Sequence, residues 1–263
     1  HVGDTLTAYG DLAAHVRKTW KGPVIAVTGS SGKTTVKELI AHLLSSRFKV
    51  LKNRGTENNL VGVPKTIFQL DGTHEAMVLE MGTNCPGEID RLASILTPQI
   101  GVLTAIGHSH LKGLGSIEGV YREKMRILHH IERGGILILN GEDPMLEKAS
   151  SGVHKVVRAG FKEADGAYWA TRAWCHDAGS SFYLGGEELF ETQLLGAHNV
   201  VNCLLAMAAA EALGVERSRL RESLPLFKPV TGRLHRREQI GRASCRERVE
   251  SSVVGGSLKK KKE

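Results

Sequence analysis

Cysteine is scarce in this 263-residue sequence: Cys85, Cys175, Cys203 and Cys245 lie far apart and form no CxxC pair. That spacing argues against a disulfide framework or a zinc site and fits reduced thiols in a cytoplasm. No run of about 18 apolar residues occurs, so no membrane-spanning helix is expected. The opening HVGDTLTAYG has no basic n-region and no apolar h-region, so it does not read as a secretory signal. It lacks an initiating Met, and the chain is expected to begin inside a longer protein. The three tryptophans, Trp20, Trp169 and Trp174, form no stacking ladder for single-stranded nucleic acid. There is no internal repeat. What remains is an ordinary globular composition, 41% hydrophobic and 24% charged, long enough for one large domain or two small ones.

The charge is uneven. The formal net charge is +7, but Gln239 to Glu263 holds seven Lys/Arg against three acids, which is +4, leaving +3 on the other 238 residues. The basic balance therefore gives little reason to expect nucleic acid as a partner. The string QIGRASCRERV reads like an in-frame translation of a common DNA-sequencing adapter. Residues 237–263 are accordingly expected to be a disordered basic tail of non-biological origin.

The body alternates strand and helix patterns. PVIAVT (23–28) is a β-rich apolar run followed at once by a glycine turn. TVKELIAHLLSS then carries Val36, Leu39, Ile40, Leu43 and Leu44 at helical spacing. FKVL, AMVLEM (76–81), IGVLTAI (100–106) and GILILN (135–140) read as strands. A helix is expected from near Gly87 with Ile89, Leu92 and Ile95 on one face. Another is expected over 116–131, with Ser116 as its N-cap. After about Ser150 shorter β-like segments follow, KVVRAGF and SSFYLGGEELFE. The helix HNVVNCLLAMAAAEALG closes the pattern, with Gly214 as its C-terminal stop. The fold expected is α/β: a P-loop NTPase-like, mostly parallel sheet with helices on both faces, plus a smaller β-rich portion in the second half.

The sharpest motif is Thr28-Gly29-Ser30-Ser31-Gly32-Lys33-Thr34-Thr35, between a predicted strand and a predicted helix. Glycines let backbone N–H groups turn inward around phosphate oxygens, and the helix N-terminus adds a positive dipole end. Lys33 is placed to reach the β and γ phosphates of ATP, and Thr34 to set its hydroxyl on Mg2+. The spacing is two residues shorter than the common phosphate loop, because Val27 stands where its first glycine would be. A guanine-specificity NKxD motif is missing, which weighs against a signalling NTPase.

That shortened loop, followed by VKE, resembles the Mur ligase family. NRGTENNLVGVP, VLEMGTNCPGEIDRLA, IGHSHLKGLGSIEGVYREKMRIL, LNGED and LLGAHNVVNCLLAMAAA follow in the family's order, and the resemblance covers about residues 1–236. It implies ATP-dependent amide ligation through an acyl phosphate. Within the family, the combination is most similar to members that add D-alanyl-D-alanine to UDP-N-acetylmuramoyl-tripeptide. The implied partners are these small molecules, with no nucleic acid, and the implied state is a monomer. The nearest rivals are other amino-acid-adding or folylpolyglutamate synthetase-type members, or an ATP-binding fragment without catalysis.

The resemblance also assigns residues. Glu80 ends a buried strand, where a carboxylate needs a partner or a metal, and it matches the family's Mg2+-binding glutamate. His110 matches a metal-binding histidine. Lys124 matches the lysine that CO2 carbamylates to hold a second Mg2+, although Glu123 stands where the family usually has Ala. Gly29 to Thr35 would cradle the phosphates. Asn140, His198 and Asn199 fall in regions that contact adenine and ribose, and Arg233 matches an arginine near the nucleotide phosphates. Asn58 and Asn59 would meet the substrate, with Thr56-Glu57 where a Gly-Asn pair is usual. The expected organisation is a linker remnant over 1–20, a central ATP-binding domain over 21–236 and the tail over 237–263. The domains that bind the UDP-sugar and close the site are expected to be missing, so that the chain binds Mg-ATP weakly and does not ligate.

Overall fold

The computed structural model describes residues 1–147, 149–150, 152, 154–163, 167–228 and 249–250. Arg233 and nearly all of the tail lie outside these residues. In chain order the elements are α1 (Thr5–Thr19), β1 (Val24–Thr28), α2 (Lys33–Leu44), β2 (Val50–Lys52), α3 (Gly62–Ile67), β3 (Ala76–Glu80), α4 (Glu88–Leu96) and β4 (Ile100–Leu103). Then come α5 (Leu111–Leu114), α6 (Ile117–Met125), β5 (Ile136–Asn140), α7 (Pro144–Glu147), β6 (Lys155–Gly160), β7 (Ala167–His176), β8 (Gly179–Leu184), β9 (Glu188–Thr192), α8 (Ala197–Ala212), α9 (Arg217–Ser223) and a short β10 (Val249–Glu250).

One sheet runs β2-β3-β1-β4-β5-β6-β7-β8-β9, with β10 beside β7. The pairings from β2 to β7 are parallel, and β8 and β9 add as antiparallel hairpins. The β-rich second half is therefore an extension of the parallel sheet rather than a separate layer. Strand residues alternate between two cores. Ile25 and Val27 of β1 face α2 and α8, while Val24 and Ala26 face the α4 side with Ile89 and Leu92. The five residues of β1 are all buried, as an apolar parallel strand covered on both faces must be.

Two elements differ from the expected pattern. Residues 5–19 form a helix capped by Asp4, whose carboxylate accepts from the Thr7 N–H at 2.7 Å. That helix packs on α3 and α4, and buried Arg17 ties it to the Leu96 carbonyl at 2.8 Å. The helix expected over 116–131 is α-helical only to Met125 and then tightens into a 3-10 turn over Arg126–His130. Such tightening is common at helix C-termini. Ser116 is its N-cap, accepting from the Gly119 N–H at 3.1 Å. Gly214 adopts φ 79° just past α8, the left-handed stop that glycine supplies.

Candidate active site

In open parallel sheets, ligands bind beyond the carboxyl ends of the strands where strand order reverses. Here β1 is flanked by β3 and β4. The chain leaving β1 enters the glycine turn, Glu80 ends β3, Thr104 follows β4 and Asn140 ends β5. The sheet thus brings the phosphate-loop residues and these polar strand ends to one edge.

Close packing explains why the turn has glycines. Gly32 caps α2 at φ 79°, and a Cβ there would sit 2.9 Å from the Asn202 Oδ1. A Cβ at Gly29 would sit 2.0 Å from the Thr104 hydroxyl. Ser30 pins the turn from outside: its N–H donates to the Ala105 carbonyl at 2.7 Å, and its hydroxyl accepts from the Gly107 N–H at 2.9 Å. The Thr104 hydroxyl donates to the Ser31 carbonyl. Lys33 folds back so that its ammonium donates to the Gly29 carbonyl at 2.8 Å.

Glu80 is the centre of the second part. It is 1% exposed. One carboxylate oxygen accepts from the Thr34 hydroxyl at 2.8 Å and the other from the Asn58 amide at 2.7 Å. Both donors are neutral, so the anionic charge is not cancelled, and a carboxylate has lone pairs beyond these two bonds. Its backbone is held as tightly. The Asn53 side chain accepts from the Glu80 N–H at 2.9 Å and donates to the Glu80 carbonyl at 3.0 Å. Lys37, fully buried on α2, donates to the Asn53 carbonyl at 2.6 Å and pairs with Glu38 at 3.0 Å. Asn53 and Lys37 were not among the residues expected to matter. The only signal in the sequence was that Asn53 opens the asparagine-rich segment.

Lys124 is 0% exposed, and its ammonium nitrogen has no hydrogen-bond partner among the described residues. Burial, and secondarily the Lys33 charge, lower its pKa to about 8. His110 sits at the left-handed N-cap of α5, φ 55°. Desolvation, then the Lys124 and Lys33 cations, hold its pKa below the usual imidazole value, which favours the neutral, ligating form. Those couplings put Lys33, His110 and Lys124 in one neighbourhood. The glycine of HLKG is required by packing, since a Cβ at Gly113 would sit 1.9 Å from the Asn84 carbonyl oxygen.

Beyond the other side of the phosphate loop lies a cleft of about 710 Å³. It is lined by Ser31, Gly32 and Thr35 of the phosphate loop and α2, by Asn140, Glu142 and Phe161, and by His198, Asn199 and Asn202 of α8. Asn140 spends its amide locally, donating to the Thr104 carbonyl at 2.8 Å and accepting from the Glu142 N–H at 2.9 Å. Asn199 is buried and accepts from the Asn202 amide at 3.0 Å. His198 is exposed at the rim. Asn59 lies on the exposed shoulder, where its side chain caps α3 by accepting from the Val61 and Gly62 N–H groups at 3.1 and 2.8 Å. Asn202, Glu142 and Phe161 also line the cleft, although no motif in the sequence singles them out. Asn202 follows Asn199 by one helical turn, which was the available signal.

The Mur ligase middle domain matches residues 27–210. The chain belongs to the Mur ligase family. A UDP-N-acetylmuramoyl-tripeptide--D-alanyl-D-alanine ligase of Bacillus subtilis is 37% identical over 232 residues, 88% of this chain and 50% of that protein. The crystal structure of MurF from Acinetobacter baumannii superposes with a TM-score of 0.83 at 33% identity, covering 91% of this chain and 53% of that one. MurF ligase from Thermotoga maritima in complex with ADP gives 0.80 at 29% identity, covering 91% and 56%. The chain thus spans about half the length of the Mur ligases it matches.

The site fits what a Mur ligase fold implies for nucleotide and metal. Among the described residues no group of three or more His, Cys, Asp and Glu forms a ready-made metal centre. The set present is mixed: the Thr34 hydroxyl, the Glu80 carboxylate, the His110 imidazole and the unpartnered Lys124 amine. The two oxygen groups, Thr34 and Glu80, lie together at 2.8 Å and are of the kind Mg2+ takes, whereas His110 and Lys124 offer nitrogen. No described helix is long and apolar enough to cross a membrane.

Proposed function

We propose that this chain is the ATP-binding part of an enzyme that joins D-alanyl-D-alanine to UDP-N-acetylmuramoyl-tripeptide. The observation that carries this is Glu80, buried between the phosphate-loop Thr34 and the asparagine-loop Asn58. One carboxylate thereby links the nucleotide side to the substrate side. The names of the similar ligases supply the substrates, and the ADP complex of the Thermotoga relative supports the nucleotide. Cytoplasmic, monomeric action on small molecules belongs to the same reading.

In this reading the turn Gly29–Thr35 and Lys33 bind the triphosphate. The 710 Å³ cleft takes the nucleoside, against Asn199 and His198. Thr34 and Glu80 would hold Mg2+, which when bound supplies positive charge against the triphosphate and the carboxylate that accepts the γ phosphate. Lys124 carries a carbamate. The ammonium first gives one proton to solvent, the neutral amine attacks CO2, an N–C bond forms, and a second proton leaves to solvent, so that the former cation is an anion fit for a second Mg2+ beside His110. The amine pKa near 8 leaves a useful neutral fraction at physiological pH. Asn58, and Asn59 on the loop shoulder, orient the substrate carboxylate, and Arg233 approaches the phosphates.

A substrate panel on the gene product carrying this sequence tests the reading. ATP-dependent ligation of D-alanyl-D-alanine to the UDP-linked tripeptide is expected. Preference for a single amino acid or for glutamate addition to a folate would replace the reading with another member of the family.

A further inference from the structure

Glu123 stands beside Lys124 and has no part in the chemistry above, yet it is 3% exposed. Its two carboxylate oxygens are committed to another helix. One accepts from the Gly87 N–H at 2.8 Å and the other from the Ile89 N–H at 2.9 Å, both at the start of α4. Arg126 closes the group at 3.3 Å. The first N–H groups of a helix have no intrahelical acceptor, and an anion there is favoured by the helix dipole. On the other side of the same turn, Glu88 accepts from the Asn84 and Cys85 N–H groups. The segment running from Glu80 into α4 is therefore held by a carboxylate from its own helix and by one from the helix that bears Lys124.

Successive residues on a helix point about 100° apart. Fixing Glu123 on the end of α4 fixes the rotation of α6, and that rotation turns Lys124 into the interior. The Glu123 carboxylate, bound to those N–H groups, makes no ion pair with the neighbouring amine, although its charge still acts on it. We propose that Glu123 is a positioning residue: by capping α4 it holds α6 so that Lys124 is buried and left without a partner, the state in which its amine can react with CO2. The geometric claim stands by itself, and only its consequence for carbamylation rests on the role proposed for Lys124.

Lys37 supplies an internal control, because it is also fully buried but lies on α2. The chain and its Glu123→Ala and Glu123→Gln variants are acetylated with a water-soluble active ester, and lysine modification is read by peptide mass spectrometry. In Glu123→Ala, Lys124 should become about tenfold more reactive while Lys37 stays protected. Glu123→Gln, which keeps one acceptor, should lie between. In parallel, 13C-bicarbonate NMR should show a lysine carbamate that weakens in the same order. Lys124 and Lys37 becoming reactive together would mean general loosening and would overturn the proposal, as would unchanged Lys124 reactivity. If the unsubstituted chain shows no carbamate, the role of Lys124 fails, while the acetylation contrast still decides the role of Glu123.

Discussion

Two lysines are fully buried among the described residues, and their surroundings give them different work. Lys37 spends its hydrogens on the Asn53 and Gly55 carbonyls and on Glu38. Lys124 has no such acceptor among the described residues. In CO2-free buffer, where the amine is unmodified, it is protonated in both folded and unfolded chains below a pH of about 8, and the folded chain bears the desolvation cost. As pH rises from there toward the ordinary lysine value, the folded chain sheds the proton first and the cost fades. Lys124→Met should therefore stabilise the chain at pH 7 by about 2–3 kcal/mol, and the gain should shrink as pH approaches 10. Thermal unfolding across that range measures it; a gain that grows with pH would contradict the assignment. None of this is visible in YREKM, where Lys124 has the pattern of an exposed helix charge and only the family resemblance marks it. His110 and Glu80 were more legible. Glu80 interrupts an apolar strand end, and His110 sits in a dense HLKGLGS string.

At the scale of elements, the loop from Asn53 to Gly62 is built as part of the site. Asn53 bonds both backbone polar groups of Glu80 and also the Glu57 carbonyl at 2.8 Å. Asn53→Ala leaves those buried groups unpaired and should cost about 2–4 kcal/mol in urea unfolding. It should also weaken Mg2+-dependent nucleotide binding by releasing Glu80. Loss of stability below about 0.5 kcal/mol would show that the clamp does not matter. The phosphate-loop helix gives a second test. Gly32→Ala would force a left-handed residue against Asn202, so ATP binding should be abolished while the sheet, followed by circular dichroism, persists. Retained ATP affinity would contradict the packing. The loop α2 grows from was legible because spacing and chemistry coincide within eight residues. The Asn53 clamp was not, because its partner Glu80 lies 27 residues away and side-chain direction across that gap is set by the sheet.

At the scale of the molecule, strand–helix alternation revealed the sheet, and its order explains where the site is. β1 lies between β3 and β4, so three chain segments far apart in sequence end at one edge. Periodicity revealed the long helices α2, α4 and α8. It did not reveal α1, whose burial is confined to Gly10, Ala13 and Arg17 and which is held by long-range bonds from Arg17 and Arg91. It also did not show that β6 to β9 extend the same sheet, β8 and β9 as antiparallel strands, since neighbours in a sheet are chosen by packing and not by local pattern. The central claim is that Thr34 and Glu80 form the cation side of a nucleotide site. Calorimetric titration of ATP into this chain, with and without Mg2+, and into its Glu80→Gln variant, tests it most directly. Mg2+ should strengthen ATP binding to the unsubstituted chain, and Glu80→Gln should reduce that gain by about 10- to 100-fold. An equal gain from Mg2+ in both proteins, or no ATP binding in either, would contradict the claim.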